Sequence, residues 1–239
     1  MSEWVEWHRG YENGQALGLR LVVVQDLTRS ALDSRPPGPI RIISICAGDG
    51  RDLLGVLPGH PRNADVHARL VELDPELAAR ARARAAGVSA RIEVVNDDAS
   101  TTTAYEGAVP ADIVLVCGVF GNITDDDVRY TIEQLPSLCA PGAVVVWTRG
   151  TFAPDLTPII RTWFEAGGFS ELTFVAIPHT TLGVGADLLT AAPRTFQRDV
   201  RLFTFLPRDQ RPSLRPGTGS DVANLPQQLP EERTAPESD

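Results

Sequence analysis

The chain has 239 residues, of which 43% are hydrophobic, and this is enough apolar material for one large domain or two small ones. The 31 acidic residues outnumber the 22 basic residues, which are all arginines, and the formal net charge is −9. This charge argues against a nucleic-acid-binding protein, and no apolar run approaches the roughly 20 residues that span a membrane.

The cysteines indicate a reducing compartment. Cys46, Cys117 and Cys139 lie far apart and form no CxxC pair. We therefore expect free thiols, no metal site and a cytoplasmic protein. The N-terminus is also too polar and acidic for a secretory signal.

Residues 1–38 are predicted to form a helical cap. Trp4, Trp7, His8 and Tyr11 recur at the spacing of one helix face. An asparagine–glycine pair interrupts this segment, and a second amphipathic helix follows it. The proline-rich segment after that helix ends it.

Residues 39–207 alternate between strand and helix patterns. Helices are expected after the first, second and fourth strands. Asp74 is the predicted N-cap of the helix after the second strand, and Thr124 is that of the helix after the fourth strand. The strands are predicted at residues 41–46, 66–72, 90–95, 112–117, 143–148, 172–177 and 199–205. The first five are mostly apolar throughout, as in a parallel sheet that is covered on both faces.

The last two strands are expected to pair antiparallel, because residues 178–198 lack a long helical pattern. We therefore predict an α/β fold with a Rossmann-like, seven-stranded, mostly parallel sheet, an antiparallel last strand and helices on both faces. Residues 208–239 are rich in proline and charge and are predicted to be a disordered tail.

The segment that joins the first two strands suggests half of a nucleoside site. An apolar strand runs into Gly48-Asp49-Gly50 and then a helix, and the next strand ends on Glu72. The glycines allow a ligand to approach the backbone, and the helix N-terminus offers free N–H groups. The carboxylate can accept both hydroxyls of a ribose. A solvated carboxylate at a strand end remains the alternative.

In these residues the chain resembles the class I S-adenosylmethionine-dependent methyltransferases, over residues 41 to about 205. The family's Gly-x-Gly-x-Gly motif falls on residues 46–50, where Cys46 replaces the first glycine. The acidic residue that the family often has in the first strand falls on Ser44. Asp49 or Asp52 is therefore expected to hold the ammonium group of the cofactor.

The resemblance implies that S-adenosyl-L-methionine is the cofactor. Glu72 corresponds to the ribose carboxylate, and Asp98 with Ala99 corresponds to the adenine position, with Asp97 as an alternative frame. The residues implied to bind the cofactor are Ala47, Gly48, Asp49, Gly50, Glu72, Leu73, Asp98, Ala99, Cys117, Gly118 and Val119.

The methyl acceptor is expected to be a small molecule, with no nucleic acid and no membrane as partner. The oligomeric state is left open, and no residue is identified as catalytic. The candidates for acceptor contacts are His8, Tyr11, Phe120, Asn122, Arg149 and His179. For the N-terminal aromatic face, packing on the sheet and a lid over the pocket are both open.

Two other functions fit the same motifs. The sequence around Gly48 and Glu72 also resembles spermidine synthases, which are aminopropyltransferases, but these enzymes have an aspartate where this chain has Cys117. The second is a non-catalytic module that binds S-adenosylmethionine. A nicotinamide enzyme is disfavoured because the third glycine of its fingerprint is absent at the usual spacing.

Overall fold

The structure is a computed structural model that describes residues 3–8, Tyr11 and residues 15–211. The helices are α1 (Glu3–His8), α2 (Gln15–Asp33), α3 (Arg51–Leu54), α4 (Pro75–Ala85), α5 (Asp125–Gln134) and α6 (Thr157–Ala166). The strands are β1 (Ile40–Ile45), β2 (Val66–Val71), β3 (Arg91–Val95), β4 (Ala111–Val116), β5 (Cys139–Gly150), β6 (Phe169–Ala176) and β7 (Leu182–Leu189). Residues 212–239, most of the predicted tail, lie outside the described residues.

A seven-stranded sheet with the order β3-β2-β1-β4-β5-β7-β6 forms the centre of the fold. Strands β1 to β5 pair in parallel, and β7 lies antiparallel between β5 and β6. The predicted fold class is therefore confirmed. The strand order reverses between β1 and β4, and open α/β sheets bind ligands beyond the carboxyl ends of the strands at such a point.

Helices cover both faces of the sheet. Apolar residues of α2 and α3 pack with Ile42 and Leu70 on one face. Apolar residues of α5 and α6 pack with Ile43 and Trp147 on the other. The central strands are apolar throughout because neither of their faces meets solvent.

The helices after β2 and β4 begin at the predicted N-caps. The Asp74 carboxylate accepts the backbone N–H groups of Glu76, at 2.9 Å, and Leu77, at 3.0 Å. The Thr124 hydroxyl accepts the N–H of Asp127 at 3.1 Å. These side chains satisfy N–H groups that have no partner within the helix, so the loops before both helices are fixed in place.

The prediction of the seventh strand at residues 199–205 was wrong. The strand lies at Leu182–Leu189, in a segment that was predicted to be a loop. Residues 199–205 form isolated bridges instead, which join Thr101 to Arg201 and Ile123 to Phe205. Leu202 and Phe203 within this segment are buried, which explains its apolar pattern.

The seventh strand was not predicted because it contains glycines, and glycine is depleted in strands and has no side chain to pack. In the sheet, the Phe174 ring of β6 lies over Gly183, and the Trp147 indole of β5 lies over Gly185. Neither position has room for a Cβ. The glycines therefore create the space in which these aromatic rings pack.

The N-terminal helices and the end of the described chain meet. The Trp4 ring centroid is 5.5 Å from that of Phe205, and the Arg211 guanidinium is 4.5 Å from the Trp4 ring centroid. Arg208–Gln210 form a 3₁₀ turn, so residues placed in the predicted tail pack against the cap. In the described part of the chain, no helix is both long enough and apolar enough to cross a membrane.

Candidate functional site

A cavity of about 340 Å³ lies at the carboxyl ends of β1, β2 and β4. Many of the predicted site residues line it, namely Ala47, Gly48, Glu72, Leu73, Asp98, Ala99, Cys117, Gly118, His8, Tyr11 and Asn122. The wall also includes Trp4, Arg20, Cys46, Arg51, Asp52, Asp74, Pro75, Leu77 and Phe205. The predicted residues Asp49, Gly50, Val119, Phe120, Arg149 and His179 are not on this wall.

The turn after β1 has three residues in the left-handed region, with φ of 54° at Cys46, 59° at Gly48 and 75° at Gly50. Cys46 adopts this conformation where the family motif has its first glycine. A Cβ at Gly48 would collide with the His8 imidazole, and a Cβ at Gly50 would meet leucines of α3 and β2. Gly48 therefore allows α1 to close over the turn, whereas Gly50 serves the packing of α3.

Glu72 follows β2 and is 7% exposed. Its Oε2 accepts the N–H of Gly48 at 2.8 Å, and its Oε1 accepts the N–H of Asp74 at 2.8 Å. Burial raises the pKa of Glu72, and these N–H groups partly offset that effect. Each carboxylate oxygen has a second lone pair, so Glu72 can still accept two hydroxyl groups from a ligand.

Asp49 does not face the cavity and is only 1% exposed. Arg51 binds both of its oxygens, with Nε at 2.8 Å and a terminal nitrogen at 2.5 Å, and Arg84 lies at 3.1 Å. Burial alone would raise the pKa of Asp49, but the hydrogen bonds and charge of Arg51 lower it. Both oxygens of Asp49 are thus engaged by arginines, and its predicted contact with the cofactor stays a prediction.

Asp52, the other residue proposed for the ammonium group, does line the cavity. Burial raises its pKa, and the charge of Arg20 opposes that effect. The nearby Cys117 thiol also lowers the pKa of Asp52. Arg20 on α2 lines the same wall and is buried, so a cation and a carboxyl group lie on one side of the cavity.

The loop after β3 presents Asp98 and Ala99 to the cavity, in the frame that was preferred. Asp98 accepts the N–H of Ser100 at 2.9 Å and lies 3.4 Å from Arg201. Burial would raise the pKa of Asp98, but Ser100 and Arg201 lower it, so the carboxyl group is ionised at neutral pH. Asp97 is exposed and accepts the N–H of Asp98.

The segment after β4 divides between cavity and core. Gly118, with φ of 77°, donates its N–H to Thr148 Oγ1 at 2.8 Å, and its carbonyl oxygen accepts Asn122 Nδ2 at 2.7 Å. Val119 and Phe120 point into the core, where the Phe120 ring centroid is 6.0 Å from that of Trp147. The side chains of Val119 and Phe120 therefore do not line the cavity, and their predicted roles toward a ligand stay predictions.

The N-terminal residues cover the cavity with aromatic and charged groups. His8 Nδ1 lies 2.8 Å from the Trp4 carbonyl oxygen, and burial lowers the pKa of His8. The Arg51 guanidinium lies 4.2 Å from the Tyr11 ring centroid, and Arg20 donates to the Tyr11 hydroxyl. Burial raises the pKa of Tyr11, so its hydroxyl stays protonated.

Arg149 and His179 lie away from this cavity. Arg149 is 5% exposed, donates to the Phe120 carbonyl oxygen, and lies 5.5 Å from the Phe152 ring centroid. Burial lowers the pKa of Arg149. His179 is exposed, with φ of 60°, in the turn between β6 and β7. Neither residue is part of the cavity wall, and their predicted contacts with the acceptor stay predictions.

Sequence reasoning missed several wall residues. Trp4 was placed on an aromatic helix face but not in the site, and Phe205 was assigned to a strand. The helical spacing of Trp4, His8 and Tyr11 was the sequence pattern that indicated a helix over the cavity. Among the residues that the structure describes, no group of three or more His, Cys, Asp or Glu side chains could hold a metal ion.

Solved methyltransferase structures share this fold. An O-methyltransferase family protein from Burkholderia thailandensis aligns with a TM-score of 0.57 and 17% identity, over 73% of this chain and 56% of that one. The CurJ carbon methyltransferase aligns with a TM-score of 0.57 and 16% identity, over 72% of this chain and 54% of that one. Magnesium protoporphyrin IX methyltransferase from Synechocystis PCC 6803, with bound SAH, aligns with a TM-score of 0.56 and 13% identity. This alignment covers 76% of this chain and 91% of that one.

The chain thus spans little more than half the length of the first two of these proteins. Searches against protein-family models and curated protein sequences returned no match. At these identities the likeness concerns the fold alone. The chain has the Rossmann-like fold of the class I S-adenosylmethionine-dependent methyltransferases.

Proposed function

We propose that this protein is an S-adenosylmethionine-dependent methyltransferase that acts on a small molecule. The observation that carries this proposal is the cavity at the carboxyl edge of the sheet. It combines a buried acceptor for hydroxyls, Glu72, with an acceptor for an amine, Asp98, and with the opposite charges of Asp52 and Arg20.

The polar and charged side chains of the cavity fit the functional groups of S-adenosylmethionine. Glu72 would accept the ribose hydroxyls, and Asp98 would accept the adenine amino group. Asp52 would hold the ammonium group of the methionine end, and Arg20 would hold its carboxylate, in charge-assisted hydrogen bonds. When bound, the cofactor supplies an electrophilic methyl group on a sulfonium sulfur.

The protein's part in such a reaction is to align the reactants and exclude water. Trp4 and Phe205, whose ring centroids are 5.5 Å apart, form an apolar part of the cavity wall. Gly118 and Asn122 are fixed to each other, and they form the wall on which we expect the acceptor to lie. Burial raises the pKa of Cys117, so this thiol is protonated and does not act as a nucleophile.

His8 is the candidate base for an acceptor that must lose a proton, because its ring lines the cavity. Its Nδ1 faces the Trp4 carbonyl oxygen, which can only accept, so Nδ1 carries the hydrogen. The lowered pKa of His8 keeps the ring neutral at pH 7. The small size of the cavity and its N-terminal cover support a small acceptor.

An aminopropyltransferase is the second candidate, because the Asp52 carboxyl beside Cys117 lies near the position where those enzymes have an aspartate. Decarboxylated S-adenosylmethionine lacks the carboxylate that Arg20 would hold, so this candidate predicts no preference for the carboxylated ligand. A non-catalytic binding module predicts the same binding as a methyltransferase, and turnover of any acceptor rules it out.

Calorimetric titration with S-adenosylhomocysteine and with 5′-methylthioadenosine, which lacks the amino-acid end, tests the proposal. Glu72→Gln should weaken both ligands by about tenfold, which is about 1.4 kcal/mol. Asp52→Asn should weaken only S-adenosylhomocysteine, and the exposed Asp26→Asn should change neither. Failure of the wild-type protein to bind S-adenosylhomocysteine contradicts the proposal. In a separate titration, decarboxylated S-adenosylmethionine that binds as tightly as S-adenosylmethionine favours aminopropyl transfer.

A further inference from the structure

A row of basic side chains crosses the sheet at the amino-terminal ends of its first three strands. The sheet register pairs Arg41 of β1 with His67 of β2, and His67 with Arg91 of β3. Neighbouring strands are about 4.8 Å apart, so the three side chains leave the same face at adjacent positions. All three residues are exposed.

This row lines a second cavity, of about 330 Å³, together with Arg69 and Glu93. Arg69 is compensated, because it pairs with Glu93 at 2.7 Å and donates to backbone carbonyl groups. Asp112 on β4 directs its carboxylate to the backbone N–H of Arg41, at 2.7 Å. Among the described residues, neither the Arg41 nor the Arg91 guanidinium belongs to an ion pair.

Arg41 and Arg91 carry like charges on one face of the sheet, two strands apart, so their repulsion is relieved by a counter-ion that binds near both. Such an arrangement is also unexpected in a chain with a net charge of −9, in which carboxylates are the more abundant partners. Most other arginines on the surface form an ion pair with a carboxylate, as Arg80 does with Glu76 and Arg129 does with Glu133. The cavity thus combines guanidinium and imidazole side chains with an excess of positive charge.

We propose that this cavity binds a small anion that carries a phosphoryl group. Guanidinium groups bind phosphate oxygens through paired N–H donors, and a phosphate offers enough acceptors for two arginines and an imidazole together. The site lies at the opposite ends of β1 and β2 from the cavity that contains Glu72, roughly 15 Å along the strands. It is therefore separate from the proposed cofactor site.

The ligand is small rather than macromolecular. The basic residues of this site line one cavity on three strands, whereas a nucleic-acid-binding surface extends over several phosphates. The remaining charge of the protein is acidic and would repel a long polyanion. A single phosphorylated metabolite fits both the size and the charge of the cavity.

Calorimetric titration with inorganic pyrophosphate at low ionic strength tests this site. The test pair is the wild-type protein and the double variant Arg41→Gln/Arg91→Gln. The control is Arg29→Gln/Arg80→Gln, which removes the same charge from exposed arginines that already have carboxylate partners. Thermal unfolding with and without pyrophosphate gives an independent readout, because a ligand that binds the folded state stabilises it.

We expect pyrophosphate to bind the wild type and the control and to raise their melting temperatures. We expect its affinity for Arg41→Gln/Arg91→Gln to fall by about tenfold or more. The absence of binding to the wild type overturns the proposal, as does an equal loss in the two double variants. Tighter binding of a ten-nucleotide single strand than of pyrophosphate overturns the assignment to a small anion.

Discussion

The buried carboxyl group of Asp187 should make stability depend on pH in the direction opposite to that of most carboxylates. Asp187 lies on β7, is 2% exposed, and accepts the indole N–H of Trp147 at 2.7 Å. Burial raises its pKa from 3.8 to about 6; the nearby Glu171 also raises it, and the Trp147 hydrogen bond opposes this. Ionisation of Asp187 is thus harder in the folded protein than in the unfolded chain.

The sign and size follow from linkage. A carboxyl with a raised folded pKa stabilises the fold fully below the unfolded pKa, and the contribution is lost as pH rises toward the folded pKa. For Asp187 the loss falls between about pH 4 and pH 6, and the difference between the two pKa values corresponds to about 3 kcal/mol. Asp187→Asn keeps an oxygen for Trp147 and cannot ionise, so it should stabilise the protein by up to about 3 kcal/mol at pH 7.

Urea unfolding of the wild type and of Asp187→Asn at intervals from pH 4 to pH 7 measures this difference directly. The difference between the two curves reports mainly on Asp187, because carboxyl groups remote from it titrate equally in both proteins. Glu171→Gln, which removes the more exposed neighbouring carboxylate, should change stability by less than about 1 kcal/mol. A difference curve that is flat between pH 4 and pH 6, or a destabilised Asp187→Asn at pH 7, would refute the reasoning.

Two further predictions concern buried positions. Asp49→Asn should cost about 3 kcal/mol in urea unfolding, because it leaves the partly buried Arg51 without its charged partner; a loss below about 1 kcal/mol would mean that the pair is solvated. Gly185→Ala should lower stability by about 2 kcal/mol, because the added methyl group would overlap the Trp147 indole. An unchanged melting temperature would contradict that packing.

Local patterns carried much of the prediction. The strand, glycine turn and helix around Gly48, and the strand that ends on Glu72, depend on neighbouring residues, and the sequence displays them directly. The N-caps at Asp74 and Thr124 were predictable for the same reason. The α/β fold followed from these elements.

Long-range packing accounts for what the sequence could not show. The strand at Leu182–Leu189 is stable because rings from β5 and β6 cover its glycines, and those partners are distant in sequence. Phe120 packs on Trp147 of β5, and Asp49 pairs with Arg84, 35 residues away, as well as with Arg51. Such contacts appear only once the fold is known.

A crystal structure of the protein grown with S-adenosylhomocysteine tests the central claim most directly. We expect the ligand in the cavity between β1, β2 and β4, with its ribose hydroxyls on the Glu72 carboxylate and its amino-acid end beside Asp52 and Arg20. A ligand bound elsewhere, or a ribose that does not contact Glu72, would contradict the account.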